Sequence, residues 1–591
     1  PGGNGDQHGT EVGLILGAGA NDGFGRVGAA FGATLIAYRF DTRARRTIEQ
    51  ETELLRFQDQ VDISHNSWSR SGEFFRDNFN LPEYAGAAGA IANAATVGRG
   101  GLGTVIVRSA GNDGARGDDV NTHNYYNNRF TIVVGATDRD GEVQGFSNPS
   151  ASLTVVAPGT ATSWSAPMGS ATAALMLEAN PGLGYRDVAT ILSLTARVTD
   201  ADEAGWFVNA GAGWNGGGLH TSYRAGFGLI DALAAVRLAE SWEQRSTEAN
   251  RVEVEATGEG GAIPDGGAVS RTVRINEDLR VERVELEIDV AHEKVGDLRL
   301  ILVSPGGTES VLLDRLNNGA YDAADGKLVF TLTSTQFLWE AARGDWTLRI
   351  EDGIAENAGA LEGWTLRLHG AAESADDVHV FTNEYAAFAA GDAGRAVLRD
   401  GGGTDTLNAA AVSSDSVINL GGGATSTIAG QALVIPYGTL IENAEGGDGD
   451  DQIVGNGLDN RLRGWRGDDR ISGHGGDDTL VGGQGGDRIS GGSGDDTFVF
   501  RADDLVATRG AGIAIDHVTD FQGIGAAGGD LLVFEGFGAG ARLEFFGYGT
   551  QGRQFQIYRV ETTNGQDEGW LLVQSQGAGN LLLASEDYIF A

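Results

Sequence analysis

Gly446-Gly447-Asp448-Gly449-Asp450-Asp451-Gln452-Ile453-Val454 opens a run of six nine-residue repeats that continues in phase, without a gap, to Val499. Each repeat begins with glycine, at 446, 455, 464, 473, 482 and 491, and carries an apolar residue at its eighth position: Ile453, Leu462, Ile471, Leu480, Ile489 and Phe498. The sixth position reads Asp451, Asn460, Asp469, Asp478, Asp487 and Asp496. Self-similarity at a fixed short period marks stacked turns, and the order Gly-Gly-x-Gly-x-Asp-x-apolar-x is that of a parallel β-roll. The glycines are read as permitting tight loops with positive φ, the eighth residue as filling a narrow core, and the aspartates as hard oxygen ligands for Ca²⁺. Alternate repeats stack in such a roll, so Asp451, Asp469 and Asp487 are expected along one edge and Asn460, Asp478 and Asp496 along the other. A flexible glycine-rich linker has no reason to place an apolar residue at every ninth position.

Composition agrees with an exported chain stapled by metal. The 591 residues suffice for three or more domains. A formal charge of −40, from 82 acidic and 42 basic residues, argues against nucleic acid and against an anionic membrane surface, both of which it would repel. There is no cysteine, hence no disulfide framework and no thiolate chemistry; bound metal would take over the stapling. No run approaches the roughly 18 apolar residues that a membrane span needs. Pro1-Gly2-Gly3-Asn4-Gly5-Asp6 lacks the basic-then-apolar order of a signal peptide and has no initiating methionine, so the chain is expected to begin inside a longer one.

Outward from the repeats the sequence divides into three parts. Residues 1–245 alternate apolar runs such as Thr104-Val105-Ile106-Val107 and Thr131-Ile132-Val133-Val134 with Ala/Gly-rich helical stretches, which reads as an α/β layer domain. Residues 250–370 change to short alternating strands, including Val284-Glu285-Leu286-Glu287-Ile288, separated by turns such as Ser304-Pro305-Gly306-Gly307, a β-sandwich pattern. After a linker around Ala371-Ala372-Glu373-Ser374, the Gly/Asp-rich part occupies 378–591.

Four separated segments of the first part carry the chemistry: His8-Gly9-Thr10-Glu11-Val12-Gly13, Ser64-His65-Asn66-Ser67-Trp68, Ser109-Ala110-Gly111-Asn112-Asp113-Gly114 and Thr162-Ser163-Trp164-Ser165-Ala166-Pro167. Singly each has an ordinary reading; Asn112-Asp113-Gly114 is a turn sequence and Ser163 could be a helix cap. In this order they resemble the subtilisin-like serine proteases, and within them the kexin and furin branch. The resemblance implies a subtilisin-like α/β fold in which Ser163 is the nucleophile at the head of a buried helix, His8 the general base and Asn112 the side-chain donor to the oxyanion. It also implies a third triad member, an aspartate a few dozen residues before the histidine. Asp6 is too close to His8 for that role, and Ala157-Pro158-Gly159 lies only four residues before Ser163. The expectation is therefore that segments of the catalytic part lie outside this chain and that the chain as it stands is a poor protease.

Residues 250–370 resemble the P domain that follows kexin-like catalytic domains, on the strength of Val295-Gly296-Asp297-Leu298-Arg299-Leu300 and Gly344-Asp345-Trp346-Thr347-Leu348-Arg349-Ile350. Preference for paired basic residues is not expected, because His123 stands where one cleft acid would be and only Glu73 could substitute for another. Residues 378–591 resemble the C-terminal domain of serralysin-type secreted proteases, through Asp400-Gly401-Gly402-Gly403-Thr404-Asp405-Thr406-Leu407, the repeats, and Val518-Thr519-Asp520-Phe521, with Asp520 and Asp530 as further candidate ligands. The ending Glu586-Asp587-Tyr588-Ile589-Phe590-Ala591 resembles that of type I secretion substrates. The whole reads as a secreted, extracellular, Ca²⁺-dependent serine endopeptidase acting on protein or peptide substrates and exported by type I secretion machinery. The alternative is a non-catalytic calcium-binding surface or adhesion protein on a degenerate subtilase scaffold.

Overall fold

The computed structural model describes residues 7–21, 23, 25–38, 47–68, 74–202, 204–319, 321, 326–502, 504–505, 515–524, 529–549, 552–561, 568–576 and 581–591. They fall into two units, Pro1–Ala212 with Gly218–Glu373, and Gly213–Gly217 with Ser374–Ala591. In the first unit β1 (Ile63–Asn66), β2 (Val105–Ser109), β3 (Thr131–Thr137) and β4 (Val155–Pro158) form a parallel sheet in that order. β2 and β3 are buried at every residue, which is why they read as unbroken apolar runs rather than as an alternation. The helices of this layer are α1 (His8–Gly17), α2 (Ile48–Leu55), α3 (Ala85–Val97), α4 (Asn124–Asn127), α5 (Thr162–Ala179), α6 (Tyr185–Thr195) and α7 (Ala232–Ser241). α5 touches all four strands, and its small residues permit the approach. A Cβ on Gly169 would stand 2.9 Å from Val134 Cγ2, inside contact distance.

The same unit continues into two four-stranded antiparallel sheets. The strand Leu279–His292 alternates buried and half-buried residues along most of its length, as a strand with one face in a core must. Trp346 and Trp364 are buried in the core that these sheets share. Arg186 of α6 donates to both carboxylate oxygens of Glu282 in that strand, at 2.7 and 2.6 Å. Asn121 donates its amide to the Leu312 and Thr333 carbonyls, each at 3.0 Å. The charge-assisted, bidentate Arg186–Glu282 pair fixes orientation as well as adding energy, and with the Asn121 bonds it makes the sandwich and the α/β layer pack as one body.

The second unit contains the roll. Ile453, Ile471 and Ile489 stack in one sheet and Leu462, Leu480 and Phe498 in the other, and none is more than 2% exposed. The register thus repeats every 18 residues, two nine-residue turns, as the phase of the repeats requires. The two sheets run on past the repeats to eight and ten strands. The repeat glycines serve two different needs. At the first position the need is space, because a Cβ on Gly464, Gly473 or Gly482 would lie 2.0 Å from Oδ2 of Asp469, Asp478 or Asp487. Positive φ falls instead at the second and fourth positions, on glycines such as 467, 476, 483 and 485, and also on Trp465 (φ 78°) and His474 (φ 80°). Those two non-glycine residues carry backbone strain of about 1–3 kcal/mol each. Among the described residues no helix is long and apolar enough to cross a membrane.

Candidate active site

Ser163 is the second residue of α5 and half-buried. In a regular helix its carbonyl would accept from the N–H four residues on, but that residue is Pro167, which has none. Ser67, just past the end of β1, fills the vacancy by donating Oγ–H to the Ser163 carbonyl at 3.2 Å. Ser67 Oγ lies 2.7 Å from His65 Nε2, and His65 Nδ1 lies 2.9 Å from Ser170 Oγ. Burial, with His8 and the Arg108 guanidinium nearby, pushes the His65 imidazole down to about 3, so it is neutral at ordinary pH. Ser165, the other hydroxyl of the motif, is fully buried and its Oγ has no hydrogen-bond partner.

Asn112 reaches α5 from the loop after β2. Its Oδ1 accepts from the N–H (2.9 Å) and hydroxyl (3.1 Å) of Thr162, and Thr162 Oγ1 accepts from Gly111 N at 3.2 Å. With Oδ1 committed to the residue before Ser163, the Nδ2 donor is presented on the other edge of an exposed amide. His8 heads α1 and is exposed. Its ring centroid is 5.1 Å from that of Trp164, and among the described residues it makes no hydrogen bond to Ser163. Such bonds are commonly long or broken in unliganded sites and tighten around substrate.

His123 occupies a place that the sequence did not suggest. It is 1% exposed, with Nδ1 3.1 Å from Asp77 Oδ1 and Nε2 3.3 Å from Asp118 Oδ1. Burial by itself would depress the imidazole, but the two carboxylates push it up to about 10, so it is an imidazolium neutralised on both sides. Asn148 joins Asp118 to the Asn112 loop, donating to Asp118 Oδ2 at 3.1 Å and accepting from Asp113 N at 2.8 Å. Glu73 lies outside the described residues.

The roll presents a second candidate site. Oδ1 of Asp469, Asp478, Asp487 and Asp496 accepts from the backbone N of Asp451, Asn460, Asp469 and Asp478, at 2.7, 2.8, 2.9 and 3.0 Å. Oδ2 of each is buried without a partner, an arrangement that costs about 1–3 kcal/mol per group if nothing fills it. Burial and the neighbouring Asp487 and Asp451 push Asp469 up to about 9, and burial with like-charged neighbours raises Asp478 and Asp487 to about 7. Orphaned, mutually repelling carboxylates behind glycines that leave them room are a donor set suited to Ca²⁺. Asp451 and Asn460 are engaged differently. Asp451 accepts from Ser416 N (2.6 Å) and Gly447 N (2.7 Å) on its two oxygens, while Asn460 accepts from Asn456 N at 2.7 Å and donates to the Glu442 carbonyl at 2.9 Å. Asp520 and Asp530 likewise have both oxygens in hydrogen bonds, Asp520 to Ser490 and Gly491, Asp530 to Asp496 and Gln522. Ahead of the repeats, ligand atoms of Asp377, Asp400 and Asp405 lie within 4.8 Å of one another. Asp400 and Asp405 stood in a glycine-rich turn legible in the sequence; Asp377 had no such signal.

Residues 2–228 match the Subtilase family. The chain is built on a subtilase domain. Behind it, residues 281–368 match the proprotein convertase P-domain and 383–545 the serralysin C-terminal domain of peptidase M10 proteins. Among relatives of the subtilase domain and P-domain, human proprotein convertase subtilisin/kexin type 4 is 30% identical over 398 residues, covering 62% of this chain and 51% of that one. Rat furin is 29% identical over 400 residues, covering 62% and 48%. The chain spans about half the length of these curated relatives. Among solved structures, the Aeromonas sobria serine protease in complex with its chaperone aligns with a TM-score of 0.55 at 20% identity, over 62% of this chain and 81% of that one, a likeness of fold.

Proposed function

We propose that this chain is a secreted, calcium-dependent serine endopeptidase that hydrolyses peptide bonds through an acyl-enzyme. Ser163 Oγ attacks the scissile carbonyl, His8 takes its proton and returns it to the leaving amine, and Asn112 Nδ2 donates to the oxyanion. Water then hydrolyses the ester. The observation that carries the reading is the head of α5, where Ser163 stands in the first turn and the residue before it is hydrogen-bonded to Asn112. The positive end of the helix dipole favours the charge that develops there. His8 has to swing from its contact with Trp164 onto Ser163 when substrate binds. Calcium, held by Asp469, Asp478, Asp487 and Asp496, would supply the positive charge that the roll lacks, at the roughly 10⁻³ M of extracellular fluids, so folding of the roll would follow type I export. Cleavage after paired basic residues is not expected, because the His123 imidazolium is locked between Asp77 and Asp118 and offers no anionic group to a substrate.

The test is chemical. A biotinylated fluorophosphonate incubated with the calcium-loaded chain should leave its adduct on Ser163, located by peptide mass mapping; an adduct on another serine would refute the assignment. The competing reading, a non-catalytic calcium-binding surface protein, is favoured by one observation, the absence of a His8–Ser163 hydrogen bond. Absence of both Ser163 labelling and peptide hydrolysis in the calcium-loaded chain would support it over the endopeptidase.

A further inference from the structure

The polar contacts behind Ser163 form a single directed chain. Ser67 Oγ has one proton, and the neighbouring Ser163 carbonyl can only accept, so Ser67 donates there at 3.2 Å. Its 2.7 Å contact with His65 Nε2 must then be one in which Nε2–H donates. That fixes the tautomer: Nδ1 carries no proton and accepts from Ser170 Oγ–H at 2.9 Å. Ser170 and Ser163 lie seven residues apart, two helical turns, on one face of α5. A single imidazole from β1 therefore staples the catalytic helix at two points, at Ser170 directly and at the nucleophile's own carbonyl through Ser67. The staple exists because Pro167 leaves that carbonyl without a helical donor. Arg108, buried and stacked on Trp68 at 4.4 Å, and the nearby His8 both disfavour a second positive charge on His65, which keeps the Nδ1 lone pair available.

We infer that His65 is a positioning residue for the nucleophile: through Ser67 it sets where the Ser163 backbone, and with it Oγ, stands relative to the Asn112 amide and the substrate carbonyl. The inference rests on Ser163 being the nucleophile. Because a misplacement of about 1 Å can cost about 10²-fold in rate, loss of the staple should lower reactivity at Ser163 without moving substrate affinity.

The experiment measures fluorophosphonate labelling rates, and kcat and KM on a peptide, for the calcium-loaded full chain, for Ser67→Ala, His65→Ala, the double variant, and His65→Gln. The glutamine amide reaches Ser67 as Nε2–H does. Ser67→Ala and His65→Ala should each slow labelling about 10- to 100-fold with KM unchanged. The double variant should be no slower than the worse single, since both break one route, and His65→Gln should recover most of the rate. Full labelling in Ser67→Ala, or losses that multiply in the double variant, would overturn the inference while leaving Ser163 as nucleophile. Absence of Ser163 labelling in the unaltered chain would instead remove the proposed function on which it rests. Should His65→Ala fail to fold, Ser67→Ala and His65→Gln decide between the same outcomes.

Discussion

In the first unit the half-buried Glu248 and the buried Asp77 and Asp118 meet cations of the same chain, whereas in the roll Asp469 meets other carboxylates. Burial would raise Glu248, but two hydrogen bonds from Arg129, 2.7 and 2.8 Å, help hold it down at about 2. Asp77 and Asp118 share the His123 imidazolium between them. In the roll, burial and the facing aspartates drive Asp469 up to about 9, and four Oδ2 atoms have no partner. These carboxylates of the first unit are thus matched by cations of the same chain. On the proposed reading the roll needs cations from outside, and its economy gives the reason: one apolar side chain per nine residues buries too little surface to offset backbone entropy.

The largest expected effect concerns how function is distributed between the two regions. Ser163→Ala should abolish both hydrolysis and fluorophosphonate labelling, while Ser165→Ala, which removes a buried hydroxyl without a partner, should leave labelling in place. Undiminished hydrolysis in Ser163→Ala would move the nucleophile elsewhere. No single aspartate of the roll should behave this way, since each is one of a stacked series. Asn112→Ala comes next, with a fall in kcat of about 10²–10³-fold, the loss typical of one oxyanion donor; a change confined to KM would mean that the amide binds substrate without serving the transition state.

The contrast also gives opposite pH dependences. Glu248 is lowered in the folded state, so its contribution is present above the unfolded pKa of about 4.3 and lost as pH falls toward 2. Asp469, Asp478 and Asp487 are raised, so in EDTA their contribution is present below about 3.9 and lost as pH rises through about 7 to 9. Calorimetry in EDTA between pH 5 and 9 should show the transition of the roll moving to lower temperature with rising pH more steeply than that of the first unit, where the raised Asp119, Asp187 and His123 give a shallower fall. Two transitions falling equally steeply would break the comparison. The smallest effect belongs to Asn460→Asp. This change replaces the amide donor to the Glu442 carbonyl with an acceptor and should cost about 1 kcal/mol of stability in calcium, by urea titration. A gain in calcium affinity would show that position 460 is a ligand like its neighbours.

The phase of the repeats was sufficient to read the 18-residue register and the stacked core, because a nine-residue period with one apolar position admits only one way to bury it. The head of α5 was legible for the same local reason: nucleophile, helix and proline are contiguous in sequence. What was not legible depended on pairing across long separations. Asp451 is engaged by Ser416, 35 residues away, and His65 is only one residue of the Ser64–Trp68 segment until Ser170, 105 residues on, appears beside it. His123 was legible only as the lack of an acid; its burial between Asp77 and Asp118 follows from how two loops fold together. The positive φ expected of the repeat glycines is found at the second and fourth positions; at the first position, the carboxylate lying where a Cβ would be shows a reason that no single turn reveals.

The proposal that the roll, unlike the parallel sheet of the first unit, depends on added cations is tested most directly by hydrogen exchange on the intact chain, read by mass spectrometry in EDTA and in calcium at about 10⁻³ M. The account predicts that peptides across 446–499 exchange freely in EDTA and become protected in calcium, while those across β2 and β3 are protected in both. Equal protection of 446–499 in the two conditions would contradict it.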